Sequence, residues 1–186
     1  MIFTEETRQI CRLFGDLLDY PGEGLAAAAE DCAGRMKAHF NGASDRVRAF
    51  ADFVGSQPPG TMEELYTRTF DMTPANTLYI GYHVFGESPR RSVFLVRLRE
   101  AFQSRGFEAG TELPDHLAVL LRFLSVTDDP EFVSPLVHDA ILPVLDKMVK
   151  SFPGDSRGYG PVVKSLRQFL ARSEGGPVKK GGSSDD

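Results

Sequence analysis

Cysteine is scarce in this sequence. Cys11 and Cys32 are the only two in 186 residues and form no CxxC, too sparse a pattern for the disulfide framework of a short secreted chain. Reduced, buried thiols in a cytoplasmic protein are the expectation. Long apolar runs are missing as well: none approaches the ~18 residues of a membrane span. The start, Met1-Ile2-Phe3-Thr4-Glu5-Glu6, lacks the basic-then-apolar order of a secretion signal. Basic charge is in deficit, with 21 Lys and Arg against 26 Asp and Glu and a net charge of -5. A nonspecific grip on phosphate backbones is therefore disfavoured, and nucleic acid is not an expected partner.

The signatures of catalysis are equally thin. No two of the four histidines, His39, His83, His116 and His138, stand at the i, i+4 spacing of a helical zinc pair. Gly106 and Gly110 are not followed by the Gly-Lys-Ser/Thr of a phosphate loop, and no GxSxG occurs. Asp115-His116 is the one adjacent pair of potential metal ligands. The plainer expectation is that these two residues serve the first turn of a helix opened by Pro114, where an acid complements the macrodipole. No catalytic residue, metal or cofactor is assigned.

What the sequence does have is helical periodicity. Ile10, Leu13, Phe14, Leu17 and Leu18 make one amphipathic stripe, ended by Tyr20-Pro21-Gly22. An Ala-rich helix is expected from Leu25 to about His39, with Asn41-Gly42 as its stop. Val47, Phe50, Ala51 and Val54 follow, closed by Gln57-Pro58-Pro59-Gly60. Thr61 and Glu64 read as a capping box, before inward-facing Met62, Leu65, Tyr66 and Phe70. Further stripes run through Phe94 to Phe102, Leu117 to Leu124, Val137 to Met148 and Tyr159 to Leu170. Pro143 predicts a kink or a helix start in the third of these.

Period-two alternation is short everywhere, so the fold class is all-α: a single-domain helical bundle over residues 1–172. Residues 173–186, mostly Gly, Ser, Lys and Asp, are expected to form a disordered carboxy-terminal tail.

One segment, Tyr66 to Arg91, mixes aromatics with polar groups of both signs. It reads Tyr66-Thr67-Arg68-Thr69-Phe70-Asp71, then Leu78-Tyr79, then His83-Val84-Phe85-Gly86-Glu87-Ser88, then Arg90-Arg91. That mixture suits a peptide groove, in which apolar pockets give affinity and a carboxylate or imidazole selects a cationic or amide-rich ligand. A core-lining connection with an internally bonded His83 accounts for it equally well.

The same residues resemble a family. Tyr66-x-x-x-Phe70-Asp71, His83-Val84-x-Gly86-Glu87-Ser88-x-x-Arg91 and Glu112-Leu113-Pro114-Asp115-His116-Leu117 are similar, in order and interval, to motifs of the delta-subunit (NarJ-type) assembly chaperones of respiratory nitrate reductase. These belong to the wider group of redox-enzyme maturation proteins of the TorD/DmsD type. Leu17-Leu18-Asp19-Tyr20-Pro21 fits the family's opening too. The chain departs from the pattern at Phe85, in place of a second histidine, and at Ser92-Val93-Phe94-Leu95, in place of a Gly-Gln-Ala-Met-like run.

The resemblance implies a cytoplasmic, all-helical, non-enzymatic chaperone. Its partner would be the amino-terminal peptide of the apo catalytic (alpha) subunit of a nitrate reductase or related molybdoenzyme, held until molybdenum cofactor is inserted and the enzyme reaches the membrane. Tyr66, Phe70, Asp71, His83, Glu87, Arg91, Asp115 and His116 are the candidate peptide-binding residues, and Tyr66→Ala is expected to harm binding more than folding. Two other functions stay open at this point. One is a metal-dependent hydrolase built on Asp115 and His116 with His83 and His138; the other is a permanent structural subunit.

Overall fold

The computed structural model describes residues 3–152 and 157–173. Helix α1, Glu5–Leu17, begins where the Thr4 hydroxyl accepts the Thr7 N–H at 3.2 Å, and Glu5 and Glu6 lie at the positive end of its dipole. Its stripe of Ile10, Phe14 and Leu17 is buried as the spacing predicts. Helix α2, Leu25–Met36, and helix α3, Asn41–Gly55, fold back as a hairpin, with the Ser44 hydroxyl donating to the Ala33 carbonyl at 2.7 Å.

Two boundary expectations are corrected here. Asn41-Gly42 does not stop α2 but opens α3. The reversal comes earlier because Phe40 turns inward against Phe169, ring centroids 5.3 Å apart, and core packing overrides local turn chemistry. Nor does Thr61 cap helix α4, Thr61–Tyr66. Gly60, at φ 84°, is the N-cap residue, so Thr61 already lies inside the helix, and no side chain makes a capping bond.

From α4 the chain passes directly into a π turn, Thr67–Asp71, closed by Met72 N–H to the Thr67 carbonyl at 2.9 Å. A 3₁₀ turn at Pro74–Asn76 leads to the short helix α5, Ile80–Phe85, and the long helix α6, Pro89–Ser104. Helix α7, Leu117–Leu124, is almost wholly buried against α1. Asp129 then caps α8, Pro130–Pro135, by accepting the Glu131 and Phe132 N–H groups.

A second π turn, Leu136–Ile141, joins α8 to α9, Leu142–Ser151. As expected, a helix begins close to Pro143: α9 starts at Leu142, with the proline in its first turn. The wider turn just before it accommodates a residue that lacks an N–H and crowds the carbonyl four positions back. Helix α10, Tyr159–Arg172, closes the bundle against α3 and α9.

Among the described residues no strand forms beyond an isolated antiparallel bridge between Tyr79 and His116, so the all-α reading holds. One contiguous core runs from Phe14, Phe40 and Phe169 through Phe50, Tyr159, Tyr66 and Phe70. Phe102, Phe107 and Phe123 stack at its other end. Among the described residues no helix is long and apolar enough to cross a membrane. Beyond Ser173, the expected tail lies outside the described residues.

Candidate functional site

The bridge at Tyr79 and His116 brings two of the sequence motifs together. Both residues have extended backbones and sit at helix N-caps, Tyr79 before α5 and His116 before α7. The Leu117 N–H, orphaned at the start of its helix, donates to the Leu78 carbonyl at 2.8 Å. The Ile80 N–H likewise donates to the Asp115 carbonyl at 2.9 Å. Two helices are thereby started from one seam, with the rings of Tyr79 and His116 edge to face at 5.2 Å.

Behind the seam lies a buried ion pair. Asp115 is 0% exposed, and Arg91 of α6 reaches it with Nε at 3.0 Å from Oδ2 and Nη2 at 3.4 Å from Oδ1. The approach depends on Gly81, since a Cβ there would stand 2.6 Å from Asp115 Oδ2 and 3.1 Å from Phe94. The same guanidinium lies 5.7 Å from the centre of the Tyr79 ring, and the Tyr79 hydroxyl donates to Glu112 Oε2 at 2.9 Å. Burial, then the bond to Glu112 and its charge, push the Tyr79 hydroxyl up to about 12, so it stays a donor at neutral pH.

The expectation that Asp115 serves a helix N-terminus is corrected by this geometry. Helix α7 starts two residues later, at Leu117, and the carboxylate is committed to Arg91.

Tyr66 and Phe70 are 5% and 2% exposed, packed edge to face with each other and against Tyr159. The π turn holds both in the core while delivering Asp71 and Met72 to the surface beside them. The Tyr66 hydroxyl donates to the Leu18 carbonyl at 3.3 Å, and Tyr20 covers its ring at 5.5 Å. Burial, then Asp71, Asp19, Tyr159 and, least, Glu112 raise the Tyr66 hydroxyl far above its ordinary value.

Those three carboxylates mark out one acidic face. Each is followed in sequence by an exposed apolar residue: Tyr20, 60% exposed, Met72, 73%, and Leu113, 38%. Arg122 is engaged by Asp16 at 2.9 Å and Asp19 at 2.7 Å, which leaves Asp71 and Glu112 without a cationic partner among the described residues.

Burial lowers the proton affinity of both His116 and His83. For His116 the carboxylates of Glu112, Asp19 and Asp115 oppose that effect, and its Nδ1 is buried with no hydrogen-bond partner. His83 Nε2–H donates to the Thr77 carbonyl at 2.7 Å, and the charge of Lys147 assists burial. An unfolded histidine takes up its proton near about pH 6.5. As pH falls through that value the unfolded chain binds more protons than the folded one. Stability is therefore full above about pH 6.5 and is lost progressively below it, until the lower folded values are reached. Urea midpoints should drop between about pH 7.5 and about pH 5.5, and His116→Gln should flatten the slope; a midpoint that rises on acidification would contradict this.

Of the sequence-predicted residues, the structure joins Arg91, Asp115 and His116 through Tyr79, and Tyr66, Phe70 and Asp71 through the π turn. Glu87 is exposed in the α5–α6 turn, and His83 faces Thr77. His138 lies in the second π turn, and the described residues bring no group of three or more His, Cys, Asp or Glu together in a way that could hold a metal ion. Tyr79, Glu112, Gly81 and Asp19 were missed as site residues. Three of them stand inside or beside the quoted motifs, but only the seam reveals that they meet.

The family model described as nitrate reductase delta subunit matches residues 37–134. The Escherichia coli K12 nitrate reductase molybdenum cofactor assembly chaperone NarJ is 29% identical over 133 residues, which is 69% of this chain and 56% of that one. A Bacillus subtilis protein described as "Probable nitrate reductase molybdenum cofactor assembly chaperone NarJ" is 28% identical over 114 residues, 60% of this chain and 62% of that one. The chain thus spans 56–62% of the length of these curated relatives. A structure described as "Crystal Structure Of A Putative Redox Enzyme Maturation Protein From Archaeoglobus Fulgidus" superposes with a TM-score of 0.61 at 20% identity, over 88% of this chain and 93% of that one.

Proposed function

This chain belongs to the nitrate reductase delta subunit family, and on that premise we propose that it is a non-enzymatic assembly chaperone for the apo catalytic subunit of a nitrate reductase or related molybdoenzyme. It works in the cytoplasm, binds the amino-terminal peptide of that subunit, and keeps the apo-enzyme competent until molybdenum cofactor is inserted, before the enzyme reaches the membrane. The names of the two NarJ relatives support the chaperone role.

The observation that carries the peptide reading is the acidic, partly apolar face around Tyr79 and the first π turn. Asp71 and Glu112 offer carboxylates free of cationic partners among the described residues, and Tyr20, Met72 and Leu113 offer apolar area. A cationic, apolar peptide segment is complementary to both. Tyr66 and Phe70 support the face from within, and Arg91, Asp115 and His116 fix the seam that forms its far side. Glu87 and His83 extend it along α5 and the turn that follows.

Co-production of the catalytic subunit with and without this chain, followed by molybdenum analysis of the purified enzyme, tests the role. Molybdenum content should fall at least about fivefold without the chain and recover when it is supplied; equal content in both preparations would contradict it.

A further inference from the structure

Helix α6 carries apolar side chains on two opposite sides. Leu98 and Phe102 face the core, and Phe94 packs on Phe85 at 5.5 Å. Val93 and Val96 face outward, 54% and 51% exposed. At 3.6 residues per turn they share one strip with Glu100, and Phe102 lies across the helix from Val93. A β-branched residue at a solvent-facing helix position gains nothing from packing and has a mediocre helix propensity. Val93 also falls in the run Ser92-Val93-Phe94-Leu95, where this chain departs from the family pattern.

The charges around this strip are mostly basic, with Glu100 the one exposed acid on it. Arg90, Arg97 and Arg99 are exposed and make no ion pair among the described residues. The other arginines near this helix are committed, Arg91 to Asp115 and Arg105 to Asp128 and Asp129. On a chain of net charge -5, the outer side of α6 is a local basic patch with two aliphatic side chains at its centre. Single exposed valines are ordinary; an aliphatic pair framed by three unpaired guanidiniums is the pattern of a docking face.

We infer that the outer face of α6 docks an acidic, aliphatic helical segment of another polypeptide. Aliphatic side chains of that segment lie on Val93 and Val96, and its carboxylates meet Arg90, Arg97 and Arg99. Charge argues against a second copy of this chain as the occupant, because two such faces would set three arginines against three with only Glu100 to offset them on each side. The face is distinct from the acidic one around Tyr79, which favours the opposite charge.

The test uses the full chain and two labelled helical peptides of about 18 residues with the same leucine stripe, one flanked by Glu and one by Lys, followed by fluorescence anisotropy. The Glu peptide should bind, and Val93→Ser/Val96→Ser should weaken it at least about tenfold. Binding should fall with added salt and be abolished by Arg90→Glu/Arg97→Glu. Any binding of the Lys peptide should be untouched by the valine substitutions. If the serine pair disturbs folding by circular dichroism, Arg90→Gln/Arg97→Gln, which remove charge alone, must give the same loss.

A Glu peptide that does not bind, or that binds regardless of these substitutions, overturns the inference. So does a wild-type dimer, seen by sedimentation, that the valine substitutions dissociate, since that result assigns the face to a second copy. Failure here leaves the Tyr79 face untested, so the two readings fail separately.

Discussion

Arg91→Ala should lower the unfolding free energy by about 3–5 kcal/mol, although the residue is partly exposed and close to the surface. The loss comes from what remains behind. Asp115 is fully buried, and without Arg91 its carboxylate keeps no cationic partner among the described residues. Attraction within a buried pair barely exceeds the cost of desolvating it, but stranding one member leaves that cost uncompensated. Arg91→Ala/Asp115→Ala should therefore be less destabilised than Arg91→Ala alone, and Arg91→Lys should recover only part of the stability because one ammonium cannot span both oxygens. Urea denaturation of the set decides the matter. A loss below about 1 kcal/mol for Arg91→Ala would mean that water reaches Asp115 freely.

Tyr66→Ala is the second large effect, about 3–5 kcal/mol, because it empties an aromatic-sized hole between Phe70, Tyr159 and Tyr20. Tyr66→Phe should cost only about 1 kcal/mol, the worth of the hydroxyl bond to Leu18. This reverses the expectation from sequence that the loss of Tyr66 would harm binding more than folding. Thermal unfolding of both variants checks it, and an alanine variant as stable as the phenylalanine one would contradict the burial argument.

The reason for that reversal marks the limit of what the sequence carries. Period 3.6 placed Tyr66 and Phe70 on the inner side of a helix correctly, as it did Ile10, Phe14, Val47, Phe50, Leu117 and Leu121, because a repeated apolar stripe has only one place to go. It does not reveal the π turn after Tyr66, which depends on one extra residue in a single turn and leaves the local pattern almost unchanged. Nor does it reveal the seam. Tyr79 and Glu112 are 33 residues apart in sequence and meet only because two helix starts satisfy each other's backbone groups.

Local chemistry misled where tertiary packing outweighed it. Asn41-Gly42 is a good stop signal that lost to the burial of Phe40. Pro114 looked like a helix opener, yet it lies with Asp115 in a turn closed by the His116 N–H on the Leu113 carbonyl, and the helix waits until after the extended His116 that the seam requires. Gly81 carried no local signal at all, since its need for a missing Cβ arises from an aspartate far along the chain.

The most direct measurement is a calorimetric titration of the client catalytic subunit's amino-terminal peptide into the wild-type chain and into Asp71→Asn and Glu112→Gln. Both substitutions keep side-chain shape and remove one exposed carboxylate, so folding is little disturbed. We expect the wild type to bind the peptide, each variant to bind at least about fivefold more weakly, and the difference to shrink with added salt. If the folded wild type shows no binding, the peptide-holding role is contradicted; if all three proteins bind alike, the acidic face around Tyr79 is not where the peptide sits.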